Sequence, residues 1–94
     1  MANFRLAQLN TFAKVIELET FSATAEYFGV TQPAITIQIS ELEKALGVRV
    51  VERSSRRTKP TEAGKELLKH VVKIDAAISK MLAGMEKHRG DVGK

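Results

Sequence analysis

The sequence of 94 residues contains no cysteine and no tryptophan, and it has only one tyrosine and two prolines. Without thiols, neither disulfide bonds nor thiolate metal sites can form, which suits a reducing compartment. The shortage of aromatic side chains argues against a β-sandwich, whereas alanine, leucine, glutamate and lysine favour helices. We therefore expect a single, mainly α-helical domain.

The chain also lacks the marks of a membrane protein, a secreted protein or an enzyme. No apolar run approaches the roughly 20 residues that cross a bilayer, and the N-terminus has no signal-peptide layout. The two histidines, His70 and His88, stand far apart on the last predicted helix without metal-ligand spacing, and no glycine-rich phosphate loop is present. These absences predict a cytoplasmic protein that is not an enzyme, with no membrane partner, cofactor, metal or catalytic residue.

Basic residues are concentrated in one segment of a chain whose net charge is +4. Residues 48–61 carry a single acidic residue, Glu52, against five cations: Arg49, Arg53, Arg56, Arg57 and Lys59. Such a cluster is typical of a protein that binds a polyanion. An ordinary solvated loop would explain the charge alone equally well, so the neighbouring elements have to decide.

Apolar periodicity predicts a first helix over residues 4–18, with Gln8 on its polar face. Its apolar positions are Leu6, Leu9, Phe12, Ala13 and Ile16. Thr20 and Ser22 offer capping oxygens for a second, shorter helix that ends at Gly29.

A third helix is predicted over about residues 31–46, with Thr31 as its cap, Pro33 in its first turn and Gly47 at its end. Its buried stripe would consist of Ile35, Ile39, Leu42 and Leu46. The second and third helices, separated by a short turn, have the layout of a helix-turn-helix, although other helical hairpins look similar.

Beyond Gly47 the pattern changes to that of a β-hairpin. Val48, Val50 and Val51 predict a first strand, the polar residues 54–57 a turn, and residues 57–60 a returning strand. The predicted fold is therefore mainly α: a winged helix-turn-helix of three helices plus a two-stranded β wing, followed by a long helix.

The last helix is predicted over residues 62–88, with Thr61 as its cap. Its apolar side chains alternate at spacings of four and three residues, which is a heptad pattern. They are Leu67, Val71, Ile74, Ile78, Met81 and Met85. At 1.5 Å per residue the helix would span roughly 40 Å, too long to bury its whole stripe on so small a domain.

We therefore predict that this stripe is a dimer interface, with Leu68 and Val72 facing the domain's own core. A helix that folds back on its own domain is the alternative. The chain then divides into a winged helix-turn-helix domain over residues 1–61, a dimerisation helix over 62–88 and a flexible tail over 89–94.

These segments together resemble the N-terminal DNA-binding domain of LysR-type transcriptional regulators, from about Leu6 to Ile78. Each segment alone is a weak signal, but their order and spacing are specific. The segments are Phe21–Ala25, Thr31–Thr36, Leu42–Glu43, Leu46–Gly47, Glu52–Arg53, Arg57 and Thr61–Gly64.

The resemblance implies recognition of double-stranded DNA by the third helix, a DNA-contacting wing and a homodimer formed through the long helix. It also implies a tetramer in full-length members and a downstream effector-binding domain of periplasmic-binding-protein type. That domain is absent here, which would make the chain a fragment that meets a small-molecule effector only through the missing part.

The sequence departs from the family's pattern at three places. Thr36-Ile37 replaces the common Ser-Arg, Val50-Val51 replaces the usual Leu-Phe, and Pro60 stands where an apolar residue is frequent. Ile37 offers only apolar contact where an arginine reaches a phosphate or a guanine edge. The smaller valine pair should also fill less volume beneath the wing.

The predicted base contacts lie at the N-terminal end of the third helix, because that end enters the major groove. They are Gln32, Pro33, Ala34, Thr36 and Ile37. Gln32 is the leading candidate, since its amide can pair bidentately with adenine. Gln32 could instead merely complete the helix N-terminus, and Ile37 could be an apolar residue exposed by chance.

Contacts to the DNA backbone or minor groove are predicted from helix N-termini and from the wing. They are Thr20, Ser22, Thr31, Ser40, Arg53, Arg56 and Arg57. A two-fold dimer would place two recognition helices about one DNA turn apart, so the operator should be an inverted repeat. The rival interpretation is a coiled-coil interaction module whose basic loop binds an acidic protein.

Overall fold

The structure, a computed structural model, describes residues 3–53 and 56–90. Within these residues it contains four helices and one two-stranded antiparallel sheet. The elements are α1 (Leu6–Leu18), α2 (Phe21–Phe28), α3 (Gln32–Leu46), β1 (Val51–Glu52), β2 (Lys59–Pro60) and α4 (Glu62–Glu86). The predicted fold class, a winged helix-turn-helix followed by a long helix, is confirmed.

A threonine caps each of the last three helices. The hydroxyl oxygens of Thr20, Thr31 and Thr61 accept hydrogen bonds from the backbone N–H three residues later, at 2.9, 3.3 and 3.0 Å. These bonds satisfy amides that have no partner inside the helix. Ser22 lies within α2 and does not cap it, so that prediction was wrong.

The core lies between the first three helices, the start of the wing and one side of α4. Its largest fully buried side chains are Phe12, Val15, Ile39, Leu42, Val50 and Val51. Leu6, the first apolar position of the predicted helical pattern, is 51% exposed. Gln8, predicted on the polar face, is buried, because α1 begins against α3 and the Gln8 amide donates to Glu41 Oε1 at 3.2 Å.

The wing has a much shorter ladder than the sequence pattern predicts. Its register pairs Val51 with Pro60 and Glu52 with Lys59, and Val48 is exposed outside the strand. Val50 and Val51 are fully buried, so the smaller valine pair still closes the core beneath the wing. Residues 54–55 of the predicted turn lie outside the described residues.

Helix α4 ends at Glu86 rather than at residue 88, and residues 87–90 form turns. Residues 91–94 of the predicted tail lie outside the described residues. In the proximal half of α4 (residues 62–74), Val71 is buried in the core and Leu67, Leu68 and Ile74 pack against it. Val72, predicted to face the core, is 67% exposed, because it lies about 100° around the helix from the buried Val71.

The distal half of α4 (residues 75–86) extends beyond the core, and the long axis of the molecule measures 52 Å. Ile78 is half-buried, whereas Met81, Leu82 and Met85 are exposed. Over residues 3–53 and 56–90, no helix combines the length and the apolar character that a membrane crossing requires.

Candidate nucleic-acid interface

One concave surface of about 350 Å³ joins the N-terminal ends of α2 and α3 to the wing. It is lined by Thr20, Phe21, Ser22, Gln32, Thr36, Arg53, Arg56 and Thr58. Two helix N-termini and two arginines therefore face the same space. Helix N-termini and guanidinium groups both favour anions, so this surface suits a phosphate-bearing ligand.

The α2 end of this surface is built by the turn between α1 and α2. Thr20 uses its hydroxyl oxygen to cap Ala23, and its carbonyl accepts a bond from the Thr24 hydroxyl at 2.8 Å. The Thr20 hydroxyl hydrogen is still available to an outside acceptor. Ser22 is exposed beside it, so both predicted backbone contacts open toward the same surface.

At the start of α3, four of the five predicted base contacts share a shallow depression: Gln32, Pro33, Thr36 and Ile37. Gln32 is exposed, and over residues 3–53 and 56–90 its side chain makes no hydrogen bond. The Thr36 hydroxyl donates to the Gln32 carbonyl at 3.3 Å, which leaves its lone pairs and methyl group for a ligand. Ile37 is 56% exposed.

Ala34, the fifth predicted base contact, is separated from the other four. It is half-buried and lines a different groove, formed with α1 and the turn between α2 and α3. Helical geometry explains this, because Ala34 lies between Ile35 in the core and the outer face of α3. The structure therefore does not bring Ala34 to the candidate interface.

The cations of the wing differ in what surrounds them. Arg53 forms an ion pair with Glu43 at 3.1 Å and lies over the Phe21 ring, 5.6 Å from its centroid. Arg57 pairs with Glu19 at 3.3 Å. Arg56 is exposed and lines the concave surface. Two of the three predicted arginines are thus held by carboxylates of the helical domain.

The remaining predicted backbone contacts lie at the margins. Thr31 is exposed at the N-terminus of α3, next to Gln32. Ser40 is half-buried, one helical turn beyond Thr36, and lines a neighbouring depression with Lys44, Arg49 and Arg53. Arg53 therefore stands between the two depressions.

Sequence reasoning missed the contacts that fix the wing to the helices. The Glu43 carboxylate accepts hydrogen bonds from the backbone of Val50 and Val51, and the Glu19 carbonyl accepts one from Thr58 at 2.7 Å. Glu19 also has a left-handed backbone, with φ of 69°. One signal was available for Glu43: a carboxylate in the last turn of a helix is disfavoured by the helix dipole unless a tertiary contact holds it.

The predicted dimer interface divides into two parts. Val71 is 3% exposed and therefore covered by its own protomer, whereas Leu67 and Ile74 pack against the same core but are only partly buried. The prediction of one continuous intermolecular seam is wrong for Val71 for that reason. Ile78, Met81 and Met85 remain on the open side of the helix, and Leu82 joins them there.

Comparison with known proteins places this chain beside bacterial transcriptional regulators. The family model described as bacterial regulatory helix-turn-helix protein, lysR family, matches residues 6–65. The HTH-type transcriptional regulator in the ibpB–leuC intergenic region of Azotobacter vinelandii is 37% identical over 93% of this chain, which covers 60% of that relative. The regulator IlvR of Caulobacter vibrioides is 38% identical over 78% of the chain, which spans 25% of its length.

A solved structure with the same fold contains DNA. The crystal structure of the BenM DNA-binding domain with the benA site 1 DNA matches with a TM-score of 0.86 and 28% identity. The match covers 93% of this chain and 98% of that one.

Proposed function

Because the chain belongs to the lysR family of bacterial regulatory helix-turn-helix proteins, we propose that it binds double-stranded DNA sequence-specifically and regulates transcription in the cytoplasm. The observation that carries this proposal is the concave surface at which the N-termini of α2 and α3 meet Arg53 and Arg56. The relatives are transcriptional regulators, so the expectation that the chain is not an enzyme agrees with its family.

In this proposal, the start of α3 enters the major groove and reads bases. Gln32 is exposed and makes no side-chain hydrogen bond to any described residue, so its amide can donate to and accept from an adenine edge. Thr36 and Ile37 stand on the same exposed face and offer methyl groups to thymine. Pro33 beside them carries no amide hydrogen and keeps the helix end low enough for close approach.

Contacts to the phosphates surround this helix end on both sides. Thr20, Ser22 and Thr31 stand at helix N-termini, where free amides and the helix dipole favour anions. Arg56, Arg53 and Arg57 supply positive charge from the wing, with Ser40 at the margin. Arg56 is exposed and lines the concave surface, so it is the best candidate for a direct phosphate contact.

The distal half of α4 supports a proposal that the protein acts as a homodimer. Met81, Leu82 and Met85 are each more than half exposed on one face of the helix, next to Ile78. Contiguous apolar surface of this kind on a small protein marks an interaction site. A second copy of the same helix would cover it and pair two recognition helices, so the operator would be an inverted repeat.

Site selection from a random duplex library at a fixed salt concentration tests the proposal. We expect an interrupted inverted repeat with half-sites about one turn, or roughly 34–36 Å, apart. If the protein bound duplex DNA but enriched no sequence, the surface would be only an electrostatic anchor. Equal competition by RNA or heparin would point instead to the coiled-coil interaction module with a basic loop.

Two variants then separate base reading from phosphate binding. Gln32→Ala should cost about 1–3 kcal/mol on the selected site and little on random DNA, with Gln38→Ala on the inner side of α3 as the control. Arg56→Ala should weaken binding to both DNAs and lower the logarithmic salt slope by about 0.9. Equal losses on both DNAs for Gln32→Ala would show that Gln32 only supports the helix.

A further inference from the structure

Glu43, in the last turn of α3, is a carboxylate that the proposed DNA contacts leave unexplained. Its side chain is only 11% exposed, and it stands at a helix C-terminus, where the dipole disfavours negative charge. Burying an anion there is costly unless donors surround it. It is more than a solvated charge, because three donors converge on it.

Two of these donors belong to the backbone at the base of the wing. Glu43 Oε2 accepts from the N–H groups of Val50 and Val51 at 2.8 and 3.3 Å. The third is the Arg53 guanidinium, 3.1 Å from Glu43 Oε1. One carboxylate of the recognition helix therefore holds both the first strand of the wing and an arginine that follows it.

The wing needs such an anchor because its own ladder is minimal. In the described part of the wing it consists of two residue pairs, and in one of them Pro60 has no N–H to donate. So short a hairpin does not fix its own orientation in water. Among the described residues, the other anchors bind the wing to the turn after α1, through Thr58 and Glu19, and to Thr61 at the start of α4. The side-chain anchor from α3 is Glu43.

Arg53 is oriented by the same contact. Its guanidinium contacts both the Glu43 carboxylate and the Phe21 ring, and Arg53 lines the concave surface that Gln32 and Thr36 share. A guanidinium held on two sides loses less freedom when it binds a phosphate than a free one does. The Glu43 carboxylate also keeps one negative charge close to that surface.

We propose that Glu43 is a positioning residue for DNA binding, which sets the wing and Arg53 in register with the base-reading end of α3. This inference rests on the proposed function. It means that the wing contacts phosphates of the same site that α3 reads, despite the negative charge that Glu43 brings near DNA. Removing that charge should weaken binding rather than strengthen it.

Glu43→Gln tests the proposal, with Glu41→Gln as the matched control on the same helix. Both variants change the net charge equally, but Glu41 is exposed and its carboxylate contacts only Gln8 among the described residues. We expect Glu43→Gln to lower affinity for the selected duplex at least tenfold and to reduce the salt slope, because wing–phosphate contacts are lost. A purely structural role would lower the melting temperature and leave the slope unchanged.

Arg53→Lys gives a second test that does not depend on the folding of Glu43→Gln. Lysine keeps the positive charge but lacks the planar guanidinium group that contacts both Glu43 and Phe21. We expect a loss similar to that of Glu43→Gln, and no further loss when both changes are combined. Full affinity in Arg53→Lys, or unchanged or increased affinity in Glu43→Gln, would overturn the proposal.

Amide hydrogen exchange separates this inference from the proposed function. Glu43→Gln should speed exchange at Val50 and Val51 while leaving α1 protected, whether or not DNA is present. Unchanged exchange at these two amides would refute the anchoring. If the wild-type protein bound no duplex DNA, both the proposed function and the positioning role would be refuted. Hydrogen exchange would still show whether Glu43 anchors the wing.

Discussion

The two halves of α4 carry the same apolar repeat but differ in what covers it. In the proximal half, Val71 is 3% exposed and its apolar neighbours pack against the core of the same protomer. In the distal half, Met81, Leu82 and Met85 are exposed by 54, 58 and 57%. A heptad pattern therefore predicts which face of a helix is apolar, but it does not identify the surface that covers this face.

The largest difference between the two halves should come from a charge placed on the buried apolar face of the proximal half. Val71→Asp would put a carboxylate into the core without a partner, which costs a large part of a small domain's stability of about 5–15 kcal/mol. We expect loss of the cooperative unfolding transition in thermal circular dichroism. Val72→Asp is the matched control, since Val72 is 67% exposed, and it should keep that transition.

Equal melting curves for these two variants would mean that the proximal half of α4 does not pack as described. The same reasoning makes Val71 unsuitable for testing the dimer, because a substitution there unfolds the protomer before it can report on association.

A charge on the exposed apolar face of the distal half should instead leave the fold intact and dissociate the dimer. We expect Leu82→Glu to keep its helical circular dichroism, to sediment as a monomer and to bind the inverted repeat about 100-fold more weakly, because the two half-sites are no longer linked. Ala83→Glu, on an exposed neighbouring face, is the control and should remain a dimer. Dimeric Leu82→Glu would show that another surface mediates association.

The two glycines of α4 give a smaller but cleaner comparison. A Cβ at Gly64 would collide with the carbonyl oxygen of Val50, whereas one at Gly84 would meet no described atom within 4 Å beyond its own stretch of helix. Gly64→Ala should therefore destabilise the protein by about 1–3 kcal/mol through overpacking. Gly84→Ala should stabilise it by up to about 1 kcal/mol, because alanine favours helix. Chemical denaturation measures both changes in the free energy of unfolding.

The signs of these two effects matter more than their sizes. Stabilisation by Gly64→Ala would contradict the close approach of α4 to the base of the wing. Destabilisation by Gly84→Ala in the dimer, at a position where the protomer leaves open space, would place the partner helix against the Gly84 backbone.

Local signals in the sequence were sufficient to predict the four helices and the ends that a capping threonine or a glycine marks. Thr31 and Thr61 cap helices as predicted, and Gly29 and Gly47 take the left-handed backbone expected after a helix, with φ of 69° and 71°. Caps and periodicity act within a few residues, so they can be predicted without the tertiary fold.

Features that depend on distant residues could not be predicted in the same way. Gln8 is buried because Glu41 of α3 stands opposite it, and Val71 is covered because α4 packs back on the domain. The same holds in the candidate interface, where the exposed end of α3 followed from its N-cap but the contacts that join separate elements did not. Glu43 of α3 binds Val50 at the base of the wing, seven residues later, and Glu19 binds Thr58, far along the chain.

The smallest effect is expected on the outer face of the proximal half, where Glu66 and His70 form an exposed pair at 2.9 Å. The hydrogen bond from His70, together with its charge, lowers the pKa of Glu66 below its ordinary value of 4.5. A carboxyl group whose pKa is lowered in the folded state stabilises the protein at pH values above its ordinary pKa. This contribution is lost as the pH falls through the pKa of the folded state. Because both side chains are more than half exposed, solvent and salt screen the pair.

Replacing His70 by alanine should therefore raise the pKa of Glu66 toward 4.5 in an NMR titration and leave the melting temperature at neutral pH unchanged. An unchanged Glu66 pKa would show that the pair does not persist in solution. A large drop in melting temperature would mean that the outer face of α4 stabilises the helix as much as its buried stripe does. The difference between the two halves would then no longer rest on what covers their apolar side chains.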